Sequence, residues 1–289
     1  MVVIKSMSEI SARYDTFFLD MCGVLIFTQK PIPGASECLR ALKKEGKQII
    51  LITNAPNGSD ALRDSLRDYY LPDVDDLLDK IVTGGDMLAD KVAEADMKLP
   101  AKVFFWGNHA YVPGQDMTSH IRENTAMFQT VESPEDADLV VCFKVAAEIC
   151  EQADYILDEA DRRFLEFLKS RNIPLFVPNA DIVAPNGDNR VSIVSGFFAH
   201  MYAEMGGPAI TMGKPGTAIF ERAYKLAGFP TKEKIVMVGD TLEADILGGN
   251  AFGIDTVLLR GGNFGGKNSF ARHELGNIKP TWIADKFSY

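Results

Sequence analysis

Residues 16–25 read TFFLDMCGVL. A β-rich run, Thr16–Asp20, ends on a carboxylate, and Gly23 follows three positions later. Apolar side chains that do not alternate with polar ones mark a strand buried on both faces, as in a parallel sheet. Ligands of open α/β sheets bind beyond the carboxyl ends of such strands, which puts Asp20 where chemistry would occur. Gly23 permits a tight turn and a close backbone approach just after it.

The same pattern recurs outward from this stretch. Gln48–Thr53 (QIILIT), Ala209–Gly213 (AITMG), Lys234–Asp240 (KIVMVGD) and Asp255–Arg260 (DTVLLR) all read as buried strands. Helical spacing lies between them: Ala35, Cys38, Leu39 and Leu42 share one face of Gly34–Glu45, and Gly216–Ala227 and Glu243–Ala251 read likewise. Alternation of strand and helix predicts a doubly wound, Rossmann-like α/β core with helices on both faces of a parallel sheet. The middle carries further strands at Lys102–Trp106, Asp138–Phe143 and Pro174–Pro178, with a helix over Asp158–Arg171. Core-like strands stand on both sides of this block. It is therefore read as an inserted α/β cap over 98–182, within a core formed by 1–97 and 183–289.

Composition narrows the class. The 289 residues are 46% hydrophobic, enough for a large core, and the formal net charge is −10. No long basic run marks a nucleic-acid footprint, and no stretch is long and apolar enough to span a bilayer. The first residues, MVVIKSMSEISARYD, hold no continuous apolar segment, so a cytoplasmic protein is the expectation. Cys22, Cys38, Cys142 and Cys150 form neither a CxxC pair nor a zinc-like cluster.

Other polar groups also fall at strand ends. Asp240 closes its strand, and Asp245 follows five residues later at a helix start. With Asp20 they offer hard oxygen ligands suited to Mg²⁺. Thr53 and Asn54 end the second strand, where a hydroxyl and backbone N–H groups suit phosphate oxygens. Lys214, in Gly213-Lys214-Pro215, precedes a helix whose N-terminus favours anions. Singly, each piece has a plainer reading, since a strand-terminal Asp often only caps a helix or forms a turn. The signal is the ordered set.

That set resembles the haloacid dehalogenase superfamily. Asp20-Met21-Cys22-Gly23-Val24-Leu25 matches its DxDGx(T/V) motif at the first Asp, ILITNA its second motif, Lys214 its third, and Gly239-Asp240-Thr241-Leu242-Glu243-Ala244-Asp245 its GDxxxxD. The GKP and GDTLEADI segments, the cap insertion and the stretch NADIVAPNGDNRVSIVSGFFAHM are similar to the class IIA, NagD-like branch. The resemblance implies a Mg²⁺-dependent phosphatase of a small phosphorylated metabolite. Asp20 would be the covalent nucleophile. Asp20, Asp240 and the main-chain carbonyl of Cys22 would hold the metal, with Asp245 binding directly or through water. Thr53, Asn54 and Lys214 would serve the phosphoryl group. Asp181 and His109 are cap-side candidates for substrate specificity, and a homodimer is left open.

One position departs from the pattern. The family's second Asp, its general acid and base, is replaced by Cys22. A thiol with a reference pKa of about 8.5 is a poor proton donor to an alkoxide. The nucleophile and metal ligands survive this change, while fast monoester hydrolysis is placed in question. A phosphate-binding protein with little turnover is thus the alternative, as is transfer in which substrate or cap supplies the acid. Gly261–Gly266 fails the G-x-G-x-x-G spacing and reads as a loop. Phe197, Phe198 and Met201 form an apolar helix face that reads as core.

Overall fold

The structure, a computed structural model, describes residues 2–27, 30–107, 117–146, 148–149, 156–185, 191–261 and 277–289. Its larger sheet has seven strands in the spatial order Val2–Val3, Trp282–Ala284, Asp255–Leu259, Ile235–Gly239, Thr16–Leu19, Gln48–Thr53 and Lys80–Thr83. Every pair is parallel. Four of these strands were expected from their β-rich apolar runs, and Thr16–Leu19 is buried at every position.

The winding reverses beside Thr16–Leu19. From that strand the chain moves to Gln48–Thr53 and Lys80–Thr83. It returns on the other side through Ile235–Gly239, Asp255–Leu259 and Trp282–Ala284. The crevice at such a reversal is where doubly wound sheets bind ligands. Register brings the two flanking strands level: Leu19 pairs with Val238, and the Asp20 amide donates to the Val238 carbonyl at 2.9 Å. Asp20 and Asp240 therefore leave the sheet side by side.

A second sheet holds five parallel strands in the order Ala209–Thr211, Leu175–Val177, Leu139–Cys142, Ala101–Trp106 and Phe128–Thr130. Lys102–Trp106 pairs here and not in the main sheet. Ala209–Thr211 corrects an expectation: it pairs with Leu175–Val177 and not with the main sheet. Helix Ser195–Glu204 packs on this same sheet through Phe198 and Tyr202, both fully buried. The second sheet's unit thus extends to Thr211, and a return to the core at 183 does not match the strand pairing. Val183–Pro185 and Val191–Ile193 form an antiparallel pair, with Glu148–Ile149 against the latter.

The two sheets are not joined by thin linkers alone. One apolar cluster runs from Phe18, Ile50, Ile52 and Val82 of the main sheet through Leu88 and Val92 to Val103, Leu139, Val141 and Phe176 of the second. Phe197, Phe198 and Met201 lie in the cluster on the second sheet's other side, the packing role expected of them. Among the described residues no helix is long and apolar enough to cross a membrane.

Candidate active site

Asp20 lies one residue past its strand, Asp240 one residue past the neighbouring strand, and Asp245 in the helical turn that follows. That turn is wide: the Ile246 amide reaches back five residues to the Thr241 carbonyl. Thr241 organises both acids, its amide donating to Asp245 Oδ2 at 3.0 Å and its hydroxyl to Asp240 Oδ1 at 3.2 Å. Asp240 and Asp245 are both 0% exposed.

Lys214 completes the cluster from the other sheet's side. Its strand, Ala209–Thr211, edges the second sheet, and the chain then turns down into the crevice. Nζ donates to Asp20 Oδ1 and to Asp245 Oδ1, each at 2.6 Å. The lysine is 3% exposed. Burial alone would lower its ammonium, but Asp20 and Asp245 outweigh that and hold it above its usual range. Burial pushes the Asp20 carboxyl up to about 7, with Lys214 pulling it back toward the ionised form and Asp245 raising it further.

Asn54 fastens this arrangement. Its Oδ1 accepts from the Lys214 amide at 2.7 Å, while Nδ2 donates to the Lys214 carbonyl at 3.0 Å and to Asp181 Oδ1 at 2.8 Å. The side chain is thereby committed to bracing, which leaves Asn54 only its main-chain N–H for an anion. Thr53 Oγ1 accepts from the Ala55 amide at 3.2 Å, so its own proton can be given to a phosphate oxygen.

The donor set fits a hard divalent cation. One carboxylate oxygen each from Asp20, Asp240 and Asp245 lie within 4.8 Å of one another. With all three carboxylates ionised against one ammonium, two negative charges remain, which such an ion would neutralise. Asp245 has both oxygens bonded, to Lys214 and to the Thr241 amide, which favours contact through water over direct ligation. Gly23 makes room beside the acids: its φ is +80°, and an added Cβ would stand 1.9 Å from Asp240 Oδ2. Gly23→Ala is expected to cost about 1–3 kcal/mol in backbone strain alone and to displace Asp240. Thermal melts with and without Mg²⁺ check this, and an unchanged metal-induced shift would count against the site.

Cys22 is half-buried in the turn. Burial, then the charges of Asp20, Asp240 and Asp181, push its thiol far up. It stays protonated at neutral pH, being neither thiolate nucleophile nor base. Asp181, a cap-side candidate, accepts from Asn54 Nδ2 beside the cluster, whereas His109 lies outside the described residues. Sequence reasoning missed Thr241, though a hydroxyl directly after the strand-ending Asp was a signal for it. It also missed the bracing role of Asn54, whose partners lie 127 and 160 residues away.

Comparison with known proteins identifies the family. A family model described as haloacid dehalogenase-like hydrolase matches residues 17–122, and one described as HAD-hydrolase-like matches 211–288. The chain belongs to the haloacid dehalogenase-like hydrolases. It is 25% identical over 252 residues to 4-nitrophenylphosphatase of Schizosaccharomyces pombe, covering 84% of this chain and 82% of that one. It is 25% identical over 280 residues to the ribonucleotide monophosphatase NagD of Escherichia coli, covering 91% and 93%. Among solved structures, a haloacid dehalogenase-like hydrolase from Brucella suis superposes with a TM-score of 0.79 at 24% identity, over 99% of this chain and all of that one.

Proposed function

We propose that the chain is a Mg²⁺-dependent phosphatase of a small phosphorylated metabolite that works through a phosphoryl group carried on Asp20. The observation behind this is the buried chain Asp20–Lys214–Asp245, with Asp240 alongside, at the switch point of the main sheet. Relatives named as phosphatases act on nitrophenyl, nucleotide and sugar phosphates, which is consistent with a small monoester as substrate.

Asp20 attacks phosphorus, and the bond to the leaving oxygen breaks. Lys214 orients Asp20 and offsets charge between two anions that would otherwise repel. Thr53 donates its hydroxyl proton to a phosphoryl oxygen. Phosphoryl transfer asks mainly for such positioning and charge stabilisation. Asp20, Asp240 and the Cys22 carbonyl would hold Mg²⁺, with Asp245 braced behind. When bound, the ion supplies charge neutralisation at the transferring group. Water then releases phosphate from Asp20.

Phosphate release over a panel of sugar, nucleotide and cofactor monoesters tests the proposal. Turnover of at least one class with Mg²⁺, lost in EDTA and restored by Mg²⁺, is expected. Full activity in EDTA would overturn the metal's role. Tight binding of phosphate esters with no release from any would favour the binding-protein reading that Cys22 motivates.

A further inference from the structure

We propose that Asp181 is the proton donor and acceptor of the reaction, filling the role that the side chain at position 22 does not supply. This rests on the phosphatase reading above.

Four carboxylates gather at the crevice, and three are committed. Asp20 is held by Lys214, Asp245 is bonded through both oxygens, and Asp240 is fully buried with Oδ1 accepting from Thr241. Asp181 differs from all three. It is partly exposed where they are buried, and Asn54 Nδ2 engages its Oδ1, leaving Oδ2 to exchange a proton. It arrives from the second sheet, on the segment after Leu175–Val177, and meets Asn54, the residue just past a main-sheet strand end.

The segment is held from several directions, which a proton-transfer group requires. The Asp181 amide donates to Asn179 Oδ1 at 2.9 Å, and its carbonyl accepts from the Gly196 amide at 3.0 Å. A Cβ on Gly196 would stand 2.4 Å from that carbonyl, and one on Gly84 would stand 1.8 Å from the Pro178 carbonyl. Asn54 couples Asp181 to Lys214, and Lys214 holds the nucleophile. The Asp181 charge also raises the Cys22 thiol, and the Lys214 ammonium in turn lowers the Asp181 carboxyl, so the three groups lie near one another. Burial raises its carboxyl above the ordinary range, which suits a group that must carry a proton part of the time.

The proton balance closes. As Asp20 forms its bond to phosphorus, the bond from phosphorus to the leaving oxygen breaks, and that oxygen keeps the electron pair. The Asp181 proton passes to it, giving a neutral alcohol and an Asp181 carboxylate. In the second step that carboxylate takes a proton from water as the water oxygen attacks phosphorus. The bond to Asp20 breaks with its electron pair returning to the carboxylate, and Asp181 is protonated again.

The test compares wild type, Asp181→Asn, and Asp181→Asn combined with Cys22→Asp on monoesters graded in leaving-group pKa. Formation and decay of the phosphoenzyme are followed by rapid quench. In Asp181→Asn, phosphorylation of the enzyme by alkyl phosphates should slow about 10²–10⁴-fold, the usual contribution of general acid–base catalysis. Phosphorylation by 4-nitrophenyl phosphate, whose leaving group needs no proton, should change little. Decay should slow for every substrate. Asparagine can still accept from Asn54, so a merely structural role would leave the leaving-group dependence unmoved. Adding Cys22→Asp should restore the alkyl phosphates in part. An unchanged leaving-group dependence in Asp181→Asn overturns the assignment. Failure of wild type to become phosphorylated by any substrate overturns the phosphatase reading instead, so the two failures are told apart.

Discussion

Asp20→Asn is expected to lower phosphate release on the order of 10⁴–10⁶-fold, the scale seen when a covalent nucleophile is removed, with the fold intact. The amide has the shape of the carboxylate and cannot be phosphorylated in its place. Lys214 keeps Asp245 as an anionic partner at 2.6 Å, so no buried ammonium is stranded. Its melting temperature should therefore stay near that of wild type. Substantial residual turnover with an intact fold would transfer the nucleophile's role elsewhere.

Lys214→Ala should give the opposite combination, losing stability as well as activity. The ammonium is the shared partner of two buried carboxylates. Its removal leaves Asp20 and Asp245 facing each other without a counter-ion, and breaking a buried pair this way costs about 3–5 kcal/mol. Turnover should fall by at least about 10²-fold, as for loss of one transition-state donor. Mg²⁺ should restore part of the melting temperature, because a cation among the same oxygens replaces some of the missing charge. A variant as stable as wild type in EDTA would mean that the carboxylates do not depend on Lys214.

The contrast between these variants reflects what local sequence carries. The strands Thr16–Leu19, Gln48–Thr53 and Ile235–Gly239 were legible because fully buried parallel strands must be apolar on both faces. The acids that end two of them were legible for the same reason, as were Thr53 and Asn54. Ala209–Thr211 was legible as a strand but not as a member of the second sheet. A three-residue parallel edge strand shows nothing in its own side chains about which sheet it joins. It pairs with Leu175–Val177, and Phe198 and Tyr202 of the preceding helix share one apolar cluster with Leu175 and Val177. Val2–Val3 and Trp282–Ala284 were too short to show a pattern. Residues 186–190 separate Val183–Pro185 from Val191–Ile193 in sequence and begin with Asn-Gly, a hairpin signal that could have marked the pair. Side-chain bonds such as Lys214 to Asp20, spanning 194 residues, exist only once both sheets are assembled.

The most direct measurement is acid or borohydride quench of wild-type protein during turnover with Mg²⁺, followed by peptide mass spectrometry. Asp20 as the nucleophile predicts one phosphoryl group, or its reduction product, on the peptide containing Asp20, with none in Asp20→Asn. A phosphoryl group on any other residue, or turnover in which inorganic phosphate forms and no peptide is ever labelled under trapping conditions, would contradict it.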